Sequence, residues 1–196
     1  IPNNEPIINI GLVLPDDQIK EIKISCSNQS AFDVLINDST NETKKNELNI
    51  SVDDGQLFFN DNDCSNIKIN ARSNSREEYI LIDSLPAGRG FHWRNNISVK
   101  VLGNIIIMIM KNNLFVVNQI KLEDYIMCVS TSEMSPECPP DLLKSQTIAA
   151  RSWLFASCEQ KHKDLNIDAC NDDCCQRYQG INNLTDHAKE SADSTR

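Results

Sequence analysis

One change of hydrophobic period governs what this chain can fold into. From Ile7 to about Leu85 the apolar residues come in short β-prone runs: Ile7-Leu14, Ile19-Ile24, Phe32-Ile36, Leu48-Val52, Leu57-Phe59, Ile67-Ile69 and Tyr79-Ile82. Polar breakers such as Asp16-Asp17, Asn37-Asp38 and Asp53-Asp54-Gly55 separate them at hairpin-like intervals, so this half reads as antiparallel sheet. Further strands are expected at Ile97-Leu102, Ile105-Met110 and Leu114-Val117, with turns at Gly103-Asn104 and Asn112-Asn113. After Ile120 the period shifts from two to near 3.6. Leu122, Ile126, Val129 and Glu133 then share one helical face, and Glu123 and Asp124 sit in the first turn, where negative charge is favoured. Beyond Ser135-Pro136-Glu137-Cys138-Pro139-Pro140 a second helix is predicted from about Asp141 to Cys158. Its inner face is expected to carry Leu142, Leu143, Gln146, Ala149, Ala150, Trp153 and Leu154. The fold class is therefore α+β: a β-rich antiparallel part followed by a helical segment. Pro86-Ala87-Gly88-Arg89-Gly90 is the expected joint, giving a β-rich region 1–86 and a second domain 87–196.

Length and charge then exclude whole function classes. A chain of 196 residues buries a core without needing a metal or a disulfide merely to fold. A net charge of -9 with no dense Lys/Arg cluster argues against a nucleic-acid partner. The longest apolar run, Ile105 to Met110, falls far short of the roughly 20 residues that span a bilayer. The opening Ile1-Pro2-Asn3-Asn4-Glu5 has neither an initiator Met nor an apolar leader, so export is expected through a signal or anchor absent from this sequence, and membrane association only through such an anchor. Eight cysteines suit either an oxidising compartment or a thiolate metal site.

Four blocks carry the chemistry. They are Leu122-Glu123-Asp124-Tyr125, then Ser132-Glu133-Met134, then Leu143 to Ser152 with its Ala149-Ala150-Arg151, and finally Cys175-Gln176-Arg177-Tyr178-Gln179-Gly180. In order and spacing they resemble the stage II sporulation protein D (SpoIID/LytB) family, whose characterised members include lytic transglycosylases of the bacterial cell wall. Weaker similarity reaches upstream, with His92-Trp93-Arg94 at the family's Tyr-Arg-Gly position and Ile8 to Leu12 resembling its opening strand.

The resemblance implies that Glu133 is the catalytic acid, and that peptidoglycan glycan strands are the substrate. A carboxyl at the end of an apolar helical face is expected to be partly desolvated, which raises its pKa toward proton donation. The same group would then act as base on the sugar's own C6 hydroxyl, leaving a 1,6-anhydromuramoyl end. From the residues alone, Glu133 reads equally as a cap of the Ser-Pro turn or as a partner for a lysine. Arg151, Tyr125, Tyr178 and Gln146 are the substrate-binding candidates. Each has a structural alternative: a buried ion pair for Arg151, core packing for both tyrosines, and helix packing for Gln146.

The segment holding Cys158, His162, Cys170, Cys174 and Cys175 has two readings. Thiolates and imidazole are ligands that zinc prefers, and one branch of the family resembles a metal-bound protein here, which makes Cys170, Cys174, Cys175 and His162 the candidate ligands of a structural zinc. This chain has Cys174 where that branch has His, and Cys158 competes with His162 as the upstream ligand. The other reading, taken as slightly preferred, is two disulfides among Cys158, Cys170, Cys174 and Cys175, with Cys26–Cys64 and Cys128–Cys138 completing the set. On either reading no cofactor is required for catalysis. His92 and His187 have no ligand-like spacing.

Three functions compete: a peptidoglycan lytic transglycosylase, an enhancer of a cell-wall amidase or a wall-binding module on the same fold, and an extracellular β-rich interaction protein. An extracytoplasmic location is expected for all three. The family's domain continues past the position matching Arg196, so the chain is expected to stop short of the domain's end.

Overall fold

A computed structural model describes residues 5–41, 47–73, 75–156 and 161–196. Among the described residues there are thirteen strands and three α-helices, an α+β architecture as expected. The strands are β1 (Ile7–Val13), β2 (Glu21–Cys26), β3 (Phe32–Ile36), β4 (Ser39–Asn41), β5 (Glu47–Asp53), β6 (Gln56–Phe59), β7 (Asn62–Cys64), β8 (Ile67–Ala71), β9 (Ile80–Ala87), β10 (Asn95–Val101), β11 (Asn104–Met110), β12 (Asn113–Lys121) and β13 (Ala169–Cys170). The helices are α1 (Leu122–Glu133), α2 (Pro140–Ala156) and α3 (Asp186–Ser194). Among the described residues no helix is long and apolar enough to cross a membrane.

The chain divides into two compact units. One comprises Gly11–Gln119, and the other Ile1–Ile10 with Ile120–Arg196. The boundary expected at residue 86 is thereby corrected, because that residue lies inside β9, which pairs antiparallel with β10 from Asn95↔Ala87 to Val101↔Ile80. Proline and glycine mark a hairpin here instead of a linker. The two look alike in composition, and strand pairing decides between them.

Within Gly11–Gln119, one antiparallel sheet runs β10-β9-β2-β5-β6-β7, and a second carries β12-β11-β8-β3-β4 in that order. The period-two pattern places one residue in two inward. Ile22, Ile24, Leu48, Ile50, Leu57, Ile67, Ile69, Ile80, Ile82, Ile105 and Ile107 are all buried, and together they form the core of this unit. Four two-residue connections set the register: Asn37-Asp38, Asp54-Gly55, Asn60-Asp61 and Lys111-Asn112. Both central residues have positive φ in each, as in the hairpin turns whose twist matches that of paired strands. The turn expected at Asn112-Asn113 is therefore one residue earlier.

The other unit is helical around a short piece of sheet. The first residues of β1 pair with β13, and Asn9 exchanges backbone and side-chain bonds with Asp168, at 2.9 Å to its own carbonyl and 2.7 Å from its N–H to the Asp168 carboxylate. Helix α1 begins without a side-chain cap on its own leading residue. Its free N–H groups are met from a distance: the Pro6 carbonyl accepts from Leu122 at 2.9 Å, and the Glu5 carboxylate accepts from Glu123 at 2.8 Å. Leu122, Ile126 and Val129 are buried as the 3.6 period predicts.

Helix α2 departs from expectation. Its buried residues are Leu143, Thr147 and Ala150, while Leu142, Ala149 and Trp153 are exposed. The buried face is thus rotated toward two polar residues. Thr147 meets the Thr195 hydroxyl at 2.8 Å, and Arg151 meets Glu123, so hydrogen bonding and an ion pair hold a face that a search for apolar residues passes over.

Candidate active site

The last four residues of α1 are Ser130, Thr131, Ser132 and Glu133. The first three are buried, and their hydroxyls donate back to helix carbonyls, Ser130 to Met127 at 2.8 Å and Ser132 to Cys128 at 2.8 Å. This folds the polar end of the helix inward without leaving its hydroxyls unpaired.

The segment after the cysteines is laid against this helix end by two backbone N–H groups. Arg177 donates to Glu133 Oε1 at 2.6 Å, and Gln179 donates to Ser132 Oγ at 3.0 Å. The glutamate and the Cys175–Gly180 motif, 44 residues apart in sequence at their point of contact, therefore form one site. Glu133 itself is exposed. The desolvation expected for it is corrected accordingly: the apolar stripe ends at Val129, and Glu133 is the terminal residue of the helix, where the side chain reaches solvent. What fixes it is a short charge-assisted hydrogen bond from backbone.

Beneath this point the tyrosines are interior. Tyr125 and Tyr178 are both fully buried, with ring centroids 5.2 Å apart, and burial pushes both phenols well above their usual pKa. The Tyr125 hydroxyl donates to Gln176 Oε1 at 3.1 Å, and Gln176 Nε2 donates to the Ala150 carbonyl at 3.2 Å. Neither ring is available to stack on a sugar, so their substrate-binding role is corrected to that of a platform under Glu133. Gln176, which the motif contained but no role was assigned to, joins that platform to α2.

Arg151 is likewise structural. Its Nε and Nη2 reach the two Glu123 oxygens at 3.0 and 2.6 Å, and Nη1 donates to the Thr195 carbonyl at 3.1 Å. With Glu123 nearly buried, this bidentate pair ties α1, α2 and the end of α3 together, and Arg151 does not approach Glu133 as a clamp. Gln146 is half-buried on α2.

Two residues were missed by the sequence reading, Asp173 and Ser132. Asp173 holds the Arg177 side chain by Nε at 3.0 Å and Nη2 at 3.2 Å. Their four-residue spacing was the available signal. Ser132 was read as part of a motif, but its acceptance of the Gln179 N–H depends on a fold-back that spacing does not encode.

His162, Cys170, Cys174 and Cys175 converge so that one ligand atom from each lies within 4.8 Å of all the others. Cys170 and Cys174 sulfurs are 3.2 Å apart, and Cys174 lies 3.9 Å from His162 Nε2. Hydrogen bonding from the Cys170 thiol, together with His162, holds Cys175 down to about 5, whereas the same contact and burial push Cys170 far up. Three sulfurs and one imidazole nitrogen are a complete tetrahedral donor set, so the residues fit a closed structural zinc.

The expected disulfides are not formed among the described cysteines. Cys26, Cys64, Cys128, Cys138, Cys170, Cys174 and Cys175 are all unbridged, and Cys158 lies outside the described residues. For Cys26 and Cys64 topology gives the reason: β5 and β6 stand between β2 and β7, which sets those strands about 14 Å apart, twice the reach of a bridge.

Comparison with known proteins agrees with the motifs. Residues 110–196 match SpoIID, the stage II sporulation protein family. An uncharacterized protein of Brachyspira hyodysenteriae is 29% identical over 98 residues, which is 50% of this chain and 27% of that protein. The chain thus spans about a quarter of the length of this curated relative. The four sequence blocks all fall within the matched stretch 110–196, so it is this part of the chain, somewhat less than half of it, that is similar to the SpoIID family.

Proposed function

We infer that this protein is an extracytoplasmic lytic transglycosylase acting on the bond between N-acetylmuramic acid and N-acetylglucosamine in peptidoglycan. The observation that carries this reading is Glu133, an exposed carboxyl group held through Oε1 by the Arg177 N–H at 2.6 Å. Exposure gives a glycan strand access to it, and the backbone bond orients it. The match of residues 110–196 to the SpoIID family supports an action on the cell wall.

The step needs no water. Glu133 gives its proton to the glycosidic oxygen as the bond from muramic C1 to that oxygen breaks through an oxocarbenium-like state. The muramic C6 hydroxyl attacks C1, its proton passes to the Glu133 carboxylate, and a 1,6-anhydro ring closes. The acid is thereby regenerated. His162, Cys170, Cys174 and Cys175 are the residues that would hold a structural zinc; four protein donors would leave no open position for substrate, so the metal would serve to fix the loop that leads to Arg177.

A specific observation favours a second reading. A carboxylate exposed to water, and not desolvated, is what an enhancer of a cell-wall amidase would tolerate, since no proton transfer is asked of it. Mass spectrometry of purified sacculi incubated with the protein separates the two. Anhydromuramoyl ends support the lytic reading. Their absence, together with faster product release by an added amidase, would replace it with the enhancer.

A further inference from the structure

The hairpin between β9 and β10 displays a pair of aromatic rings that the proposed chemistry does not use. Phe91 and Trp93 stack with centroids 4.3 Å apart and an interplanar angle of 11°, and His92 meets the Trp93 ring edge-on at 4.8 Å. The pair is far from buried: Phe91 is 42% and Trp93 48% exposed. Large rings left in water are ordinarily lost to the core or to a partner.

The loop that carries them is anchored at its base. Arg89 Nε and Nη2 reach the two Asp17 oxygens at 2.6 and 2.8 Å, and Nη2 also donates to the Leu12 carbonyl at 2.9 Å. Asp17 is nearly buried and accepts the Leu14 N–H as well, at 2.7 Å. Inside the loop, Phe91 N–H donates to Gly88 at 3.0 Å and Arg94 N–H to Phe91 at 3.2 Å. Gly88 has φ +70°, and a Cβ on it would fall 2.7 Å from Trp93 Cδ1, so only glycine lets the indole lie against the backbone there. The exposure of the rings is therefore built in, with a part-buried ion pair holding the loop and a glycine seating the indole.

We propose that the Phe91–Trp93 pair is a stacking platform for an N-acetylated hexosamine ring, a glycan contact additional to Glu133. The sugar's axial C–H groups would lie on the outward face of the stack, and His92 at the edge of Trp93, with exposed Arg94, Asn95 and Asn96 next in sequence, offers hydrogen-bonding groups for the acetamido and hydroxyl substituents. Two rings supply far less than the roughly 800 Å² per partner of a stable protein interface. A net charge of -9 opposes an anionic lipid surface. The choice of glycan rests on the cell-wall reading above, but the platform is tested separately from it.

The probe is triacetylchitotriose, titrated into a Trp153→Phe protein so that Trp93 is the only indole reporting. Saturable change of Trp93 emission is expected, with affinity lowered at least tenfold by Phe91→Ala and restored toward wild type in Phe91→Tyr. Retention of the protein on purified sacculi should fall several-fold in Trp93→Ala and remain unchanged in Glu133→Gln. Folding of each variant is checked by circular dichroism, and Trp93→Leu, which keeps bulk but no aromatic face, serves where Trp93→Ala fails to fold. Unaltered sacculus retention in folded Phe91→Ala and Trp93→Ala proteins would overturn the platform, as would a Trp93 response to phosphatidylglycerol vesicles and none to the oligosaccharide. Loss of anhydromuramoyl products in Glu133→Gln alone bears on catalysis and leaves the platform standing.

Discussion

The unit Gly11–Gln119 and the unit formed by Ile1–Ile10 with Ile120–Arg196 are stabilised by different physics. The first has an interior mainly of isoleucine, leucine and valine on alternating strand positions, with few polar contacts inside it, Asn118 and the Arg89–Asp17 pair among them, and turns of positive φ. The second buries Glu123, Ser130, Thr131, Ser132, Thr147, Asn171, Asp172, Gln176 and Ser191 among its helices, and most of these are paired with backbone or with one another. Burial of apolar surface is non-directional, whereas a buried polar group fixes the position of its partner. The unit that must hold one carboxylate in one place is the unit built from directional contacts.

Removing directional contacts should therefore damage the second unit far more than the first. The largest effect is expected at the His162, Cys170, Cys174 and Cys175 cluster, since structural zinc sites contribute on the order of 10 kcal/mol of apparent folding free energy. Elemental analysis should find about one zinc per chain. A strong chelator should abolish amide protection in α1 and α2 while sparing β2, β5 and β8. Loss of protection with a reductant, and none with a chelator, would return the cluster to disulfides.

Next in size is the Glu123–Arg151 pair. Glu123→Ala leaves a guanidinium without its partner and should cost about 3–5 kcal/mol in chemical denaturation, whereas the double change Glu123→Leu with Arg151→Met should recover most of it. Additive losses would show that the two do not act as a pair. In the other unit, Ile24→Ala opens a cavity between β5 and β9 and should cost about 2–5 kcal/mol, without the partner-dependence seen at Glu123. Smallest is Tyr125→Phe, which removes the donor to the buried Gln176 oxygen and should cost about 1–3 kcal/mol. A cost near zero there would remove Tyr125 from the platform under Glu133.

The same contrast explains what was legible beforehand. Every apolar run expected as a strand is one, because a period of two and the residues at Asn37-Asp38 and Asp54-Gly55 act locally. Helix α1 and its face were equally readable. The face of α2 was not, because buried Thr147 and half-buried Arg151 are held by partners at Thr195 and Glu123 that are distant in sequence. Short β4, β7 and β13 carry no apolar run at all and form only through pairing. At the site, the motifs identified Glu133 and Arg177 separately, but the bond joining them runs through a backbone N–H that any residue type at 177 except proline would supply. Similarly, Pro86 to Gly90 read as a joint because composition does not distinguish a linker from a hairpin tip.

The central claim is that the Glu133 carboxyl transfers the proton at the glycosidic bond. Mass spectrometry of sacculus digests by wild type and by Glu133→Gln, compared at equal bound protein, tests it directly. The account predicts that Gln, which keeps an oxygen to accept the Arg177 N–H but has no proton to give, lowers anhydromuramoyl product by at least about a hundredfold with folding and sacculus binding unchanged. Undiminished anhydromuramoyl product from the Gln variant would contradict it.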